Sequence, residues 1–88
     1  MTIINFKVND NGRLINVSYD GEWTCEMFMR DFTKNNFSEE TIDPNVYTFK
    51  ANGKFLNGEK FKNQKLKYLI RDQQIVNFVS KKKMIYSN

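Results

Sequence analysis

Thr2 to Val8, TIINFKV, sets Ile4, Phe6 and Val8 against Asn5 and Lys7. A period of two predicts a strand with one face buried. Asn9 to Gly12, NDNG, is rich in residues that tolerate positive φ. Beyond it RLINVSY alternates again through Ile15, Val17 and Tyr19, so the two runs predict a hairpin. The period then changes. In WTCEMFMRDFTKNN, Cys25, Phe28, Met29 and Phe32 stand at i, i+3, i+4 and i+7, one face of a helix, with Glu26, Arg30 and Asp31 on the other side. The spacing predicts a helix over 25–35, capped by the Thr24 hydroxyl and stopped at Asn35–Asn36. Trp23 is expected to pack on Phe28 as a hydrophobic staple.

Pro44, the single proline, interrupts regular pairing in the polar segment that follows. Residues 46–50 read as a strand, and FKANGKFLNGEKF turns at Asn52–Gly53 into a second, short one. Residues 57–65 read as a loop with a helical turn, and the last strand falls at 74–80. Hairpin, helix, strand, short strand and final strand predict an α+β fold, with one helix packed across a small mixed sheet. In that layout the first and last strands lie parallel at the centre. Cys25, Phe28, Met29 and Phe32 are expected to pack on Ile4, Phe6, Ile15, Val17, Phe49, Leu56 and Val76.

The totals agree with one domain. Of 88 residues 40% are hydrophobic and 15% aromatic, enough for a single core without metals or disulfides. Residues 1–80 form the expected domain and 81–88 a basic and apolar tail. Cys25 is the only cysteine, which suits a reducing compartment. No charged-then-apolar leader opens the chain and no apolar run reaches membrane-spanning length, so the expectation is an intracellular protein, cytoplasmic or nuclear, off the membrane and monomeric by itself. The net charge of +4 fits either lysines spread over a solvated surface or an acidic partner.

The order of elements resembles the ubiquitin-like β-grasp fold, of ββαββ type, and the motifs agree beyond topology. TCEMFMRDF looks like the first helix of ubiquitin, with its threonine cap, a glutamate two residues on, and apolar residues at matching steps. IDPNVYTFKANGKFL, from Ile42 to Leu56, lies on ubiquitin without a gap. Ile42, Pro44, Gly53, Lys54 and Leu56 meet the same residue types there. Gly58 and Phe61 look like the next glycine turn and the apolar anchor beyond it. The resemblance runs from residue 2 to about 80, with a two-residue insertion after Phe61 and a few residues more at the helix end.

The departures from that family carry the functional expectations. Conjugated relatives end in Gly-Gly, whereas this chain ends SKKKMIYSN and its last glycine is Gly58, so conjugation to targets is not expected. The family's apolar sheet patch centres on an isoleucine that falls on Lys50 here. Its hairpin-tip leucine falls among Asn9, Asp10 and Asn11, which leaves Val79, or Phe78 depending on register, as its remaining member. Burying Lys50 unpaired would be costly, so ordinary receptors of the ubiquitin patch are not expected to bind.

Catalytic chemistry finds little support. The chain has no histidine, the usual general base at neutral pH. Cys25 lies on the apolar helix face, away from any base that would activate it. Scattered carboxylates do not make a metal site, and no phosphate loop occurs. The reading is a non-enzyme without cofactor or metal. Its candidate binding residues are Lys7, Arg13, Lys50 and Lys54 as a basic outer sheet face, with Val79, and Lys81, Lys82, Lys83, Met84, Ile85 and Tyr86 as a segment that orders on a partner. The leading expectation is a protein–protein interaction module, an adaptor or subunit of a larger assembly. The alternative is a basic β-grasp domain binding nucleic acid or another polyanion, for which the lysines of KFKNQKLKY are a further candidate.

Overall fold

The computed structural model describes residues 2–37 and 47–80. It has strands β1 (Ile3–Asp10) and β2 (Arg13–Asp20), helix α1 (Cys25–Phe37), strands β3 (Tyr47–Ala51) and β4 (Lys54–Phe55), the short helix α2 (Leu66–Leu69), and strand β5 (Ile75–Ser80). The sheet order is β2-β1-β5-β3-β4. β1 and β5 run parallel at its centre, and the other pairs are antiparallel. This is the mixed sheet with one helix across it that the periodicity predicts.

Both hairpins turn on Asn-Gly pairs with positive φ, at Asn11 (55°) and Gly12 (93°), and at Asn52 (52°) and Gly53 (75°). Two consecutive left-handed residues match the twist of the flanking strands, which explains the Asn-Gly choice twice over. The inner face of β1 is Ile4, Phe6 and Val8, that of β3 is Tyr47, Phe49 and Ala51, and that of β5 is Val76 and Phe78; all are buried. Cys25, Phe28, Met29 and Phe32 of α1 close the core from above. Ile15 and Val17 are only partly buried, because β2 is an edge strand and α1 does not cover it fully. Among the described residues every buried side-chain nitrogen and oxygen has a partner. Thr33, fully buried on α1, donates to the carbonyl of Met29 at 3.0 Å.

Thr24 caps α1 as expected, its Oγ1 accepting from the Met27 N–H at 3.2 Å. Two other orphan amides of that helix end are met from outside: Cys25 N–H donates to the Gln64 carbonyl and Glu26 N–H to the Lys62 carbonyl, both at 2.9 Å. The 57–65 loop is therefore a lid on the helix N-terminus. Gly21 allows α2, which follows the lid, to sit close to β1: a Cβ there would meet Ile4 Cδ1 and Lys67 Cβ, each at 3.1 Å.

Four details differ from expectation. The helix runs two residues past Asn35, and Asn36 Nδ2 donates back to the Phe32 carbonyl rather than ending the turn. The ring of Trp23 lies 5.6 Å from Tyr19, and Tyr19 meets Phe28 at 5.1 Å. The staple is thus relayed by a strand residue. The helical turn expected within 57–65 is present, Lys62 N–H donating to the Gly58 carbonyl at 2.9 Å, but an unexpected further turn follows it at α2, where Leu66 and Leu69 bury one side. The last strand opens at Ile75, because Arg71 to Gln74 form a turn closed by Gln74 N–H to the Arg71 carbonyl. Val46, Pro44 and the segment 81–88 lie outside the described residues.

Candidate functional site

The face of the sheet away from α1 carries the residues whose parity opposes the core. Cross-strand partners share a face, so the register assigns them. One row runs across the whole sheet: Leu14, Asn9, Asn77, Lys50 and Phe55. Asn16, Lys7 and Ile75 make the next row, and Thr48 pairs with Val79. Leu14, Phe55, Ile75 and Val79 are each about half exposed, from 46% to 54%. Asn9 Nδ2 donates to Asn77 Oδ1 at 3.0 Å, and Lys7 Nζ to Gln73 Oε1 at 3.3 Å. Lys50 Nζ stands 5.3 Å from the centroid of the Phe55 ring.

Lys7, Lys50 and Val79 therefore sit where the sequence placed them, on one outer face. Arg13 and Lys54 do not, and the basic patch of four loses two members. Arg13 pairs with Asp10, which continues the Ile4, Phe6, Val8 parity on the helix side, and its guanidinium meets Asp10 at 3.4 Å. Lys54 pairs with buried Ala51 across the two-residue turn, so it also faces the helix side, its Nζ 5.8 Å from the Phe61 ring. In both cases a tight two-residue turn makes the flanking residues face one another. Residues 81–86 of the expected binding segment lie outside the described residues.

Leu14, Phe55 and Ile75 are outer-face residues that the sequence reading missed, although the signal was present. With Ile15, Val17 and Tyr19 turned inward, Leu14 must turn outward; with Val76 and Phe78 inward, Ile75 must share the face of Val79. The face is thus mixed, apolar groups around two lysines. Among the described strand residues only one carboxylate lies on it, Asp20, at the corner opposite Ile3.

Elsewhere several charges are paired within the chain. Glu22 accepts from Lys65 at 2.8 Å and Lys67 at 2.6 Å, and these two ammoniums hold its carboxyl down at about 2. Lys62 meets Glu59 at 3.2 Å. A shallow groove along α1 is lined by Trp23, Glu26, Met27, Arg30, Asp31 and Lys34. Its charges are largely paired too: Arg30 with Glu26 at 3.4 Å, and Asp31 with the Tyr19 hydroxyl at 2.7 Å and Asn35 at 3.0 Å. Burial and the Asp31 carboxylate both push the Tyr19 hydroxyl well above the usual range. The Cys25 thiol is pushed up to about 12 by burial alone. Among the described residues no group of His, Cys, Asp and Glu side chains could hold a metal ion, and no helix is long and apolar enough to cross a membrane.

No family model matches the chain, and no curated protein is significantly similar to it in sequence. Solved structures are similar in shape. The solution structure of the UBL domain of yeast Ddi1 superposes with a TM-score of 0.69 at 11% identity, over 90% of each chain. A chain in the crystal structure of a pParkin-pUb-UbcH7 complex gives 0.65 at 14% identity, over 89% of this chain and 23% of that one. With so few identities these matches speak for backbone arrangement, and they agree with the topology read strand by strand. The chain has the ubiquitin-like β-grasp fold.

Proposed function

We infer that this chain is a non-catalytic protein-interaction module, an adaptor or subunit of a larger assembly, and that its outer sheet face makes the contact. One observation carries this reading. Leu14, Phe55, Ile75 and Val79 are half exposed on a single face around Lys50 and Asn77, and among the described strand residues Asp20 is the one carboxylate on that face. These apolar groups are spaced among polar ones, Leu14 and Phe55 closing the two ends of one cross-strand row, and such a mixed face suits a contact of ordinary polarity. Both Lys50 and Lys7 would go under a partner, and a buried ammonium needs a carboxylate. The partner would thus bring apolar side chains and at least one Asp or Glu. The segment 81–86, with Lys81 to Lys83 and Met84 to Tyr86, remains part of the proposal as a second contact.

The polyanion reading is less well supported. Three of the lysines in KFKNQKLKY are engaged by Glu22 and Glu59, and its exposed ring, Tyr68, with Lys67 Nζ 5.3 Å from its centroid, is a single platform rather than the series that successive bases need.

Affinity capture from the source extract tests the reading, with wild type compared against the double variant Ile75→Asp, Val79→Asp and against a helix-side control, Met27→Asp. The partner should be lost with the sheet variant and kept with the control. The reverse pattern would move the interface to the helix side.

A further inference from the structure

The two edges of the sheet differ. β4 is two residues long, too short to template another strand. β2 is eight residues long and pairs with β1 in unbroken register, without a bulge. It contains no lysine and no proline, and its two charges, Arg13 and Asp20, stand at its ends, so the middle of this edge is not blunted.

The direction of its backbone groups follows from one bond. Gly21 N–H donates to the Thr2 carbonyl at 2.6 Å, and in an antiparallel pair such bonded positions recur every second residue. Tyr19, Val17 and Ile15 therefore bond to Ile4, Phe6 and Val8. Leu14, Asn16 and Ser18 turn their N–H and C=O groups outward, and among the described residues no strand meets them. Asp20, next in the series, is already used: its carbonyl accepts from Trp23 N–H at 3.0 Å and its carboxylate from Glu22 N–H at 2.9 Å.

Charge is also distributed with direction along this edge. Arg13, the only cation of β2, stands at its start with a side chain 69% exposed. The carboxylates of Asp20 and Asp31 stand at its end, Asp31 held there by the Tyr19 hydroxyl. A strand that is basic at one end and acidic at the other complements itself when antiparallel.

We propose that β2 is a self-association edge, at which a second copy of this chain pairs antiparallel across a two-fold axis through Asn16. In this register Asn16 bonds to its own counterpart, and Leu14 bonds to Ser18 of the second copy and the reverse, so the three outward residues are all satisfied. Ile15 faces Val17 on the helix side. Arg13 comes opposite Tyr19 of the second copy, within reach of the Asp31 carboxylate beside that ring. The contact is isologous and closed, which gives a dimer with one continuous sheet and no filament. The net charge of +4 on each copy opposes association, so the dimer is weaker at low salt than at high salt.

Sedimentation equilibrium from micromolar to millimolar protein tests this, with amide NMR on the same samples. The expected result is a concentration-dependent dimer in which the Leu14, Asn16 and Ser18 amides shift and gain exchange protection. Asn16→Pro removes an outward N–H that the β1 ladder does not use, so the fold survives and dimerisation is lost. Arg13→Asp, a surface change independent of proline strain, should weaken the dimer about tenfold, the equivalent of two symmetry-related modest ion pairs. A chain that stays monomeric at millimolar concentration overturns the proposal, whether the edge is bare or reserved for a peptide of another protein. So does a dimer that Asn16→Pro leaves intact. Neither result bears on the outer sheet face, whose test uses a partner.

Discussion

Phe28→Ala probes the step from helical period to core most directly. The Phe28 side chain is fully buried, with ring neighbours on three elements: Phe6 at 5.3 Å, Tyr19 at 5.1 Å, Phe49 at 5.6 Å, and Phe32 of its own helix at 6.1 Å. Removing such a ring costs about 3–5 kcal/mol, transfer and cavity terms together. Three of the contacts are edge-on, each worth about 0.5–1.5 kcal/mol beyond area. Since these contributions overlap, the expected cost is about 4–5 kcal/mol. A domain of 88 residues has roughly 4–13 kcal/mol to lose, so between about a third and all of its stability would go. With a urea m-value of about 1.5 kcal/mol/M the midpoint falls by about 3 M. If the variant proves too unstable to titrate, Phe28→Leu gives a smaller shift in the same direction. Met27→Ala, one residue away on the exposed side, should stay within about 0.5 kcal/mol of wild type. A Phe28→Ala loss below about 1 kcal/mol, or equal losses for both variants, would refute the one-faced helix.

Thr24→Ala should cost about 0.5–2 kcal/mol in the same urea titration, through the cap on the Met27 amide, and Thr24→Ser should recover most of it. Glu22 predicts a pH effect. Its folded pKa of about 2 lies below the ordinary 4.5, so its stabilisation is complete above about 4.5 and lost as pH falls towards 2. Thermal melts over that window should show a shallower acid dependence for Glu22→Gln than for wild type; parallel curves would mean the Lys65–Glu22–Lys67 contact is too solvated to matter. Cys25, buried with its thiol pushed up to about 12, should resist iodoacetamide at pH 8 in the native protein and react at the rate of unfolding. Fast native alkylation would contradict that burial.

Much of the fold was legible because its signals are local. Ile4, Phe6 and Val8 fix the inner face of β1 by alternation, the 25–28–29–32 spacing fixes the inner face of α1, and two Asn-Gly pairs fix two turns. What was not legible depends on tertiary contact. The lid over the N-terminus of α1 exists because backbone carbonyls of Lys62 and Gln64 meet helix amides, and carbonyls carry no sequence signature. Four-residue α2 is too short for periodicity to declare it. The site was half legible. Parity could have put Leu14 and Ile75 on the outer face and taken Arg13 and Lys54 off it, but a reading that gathers residues by charge overlooks parity. Lys50 was placed correctly, since it lies between two inward residues, Phe49 and Ala51.

The central claim is that the outer sheet face binds a protein that brings apolar side chains and a carboxylate. The most direct measurement is the association kinetics of the captured partner with wild type and with Lys50→Glu, over a range of salt. Charge on such a face acts chiefly on encounter. The account predicts that Lys50→Glu lowers the association rate several-fold, flattens its salt dependence, and leaves the fold unchanged. Association rates and salt slopes equal to those of wild type would contradict it.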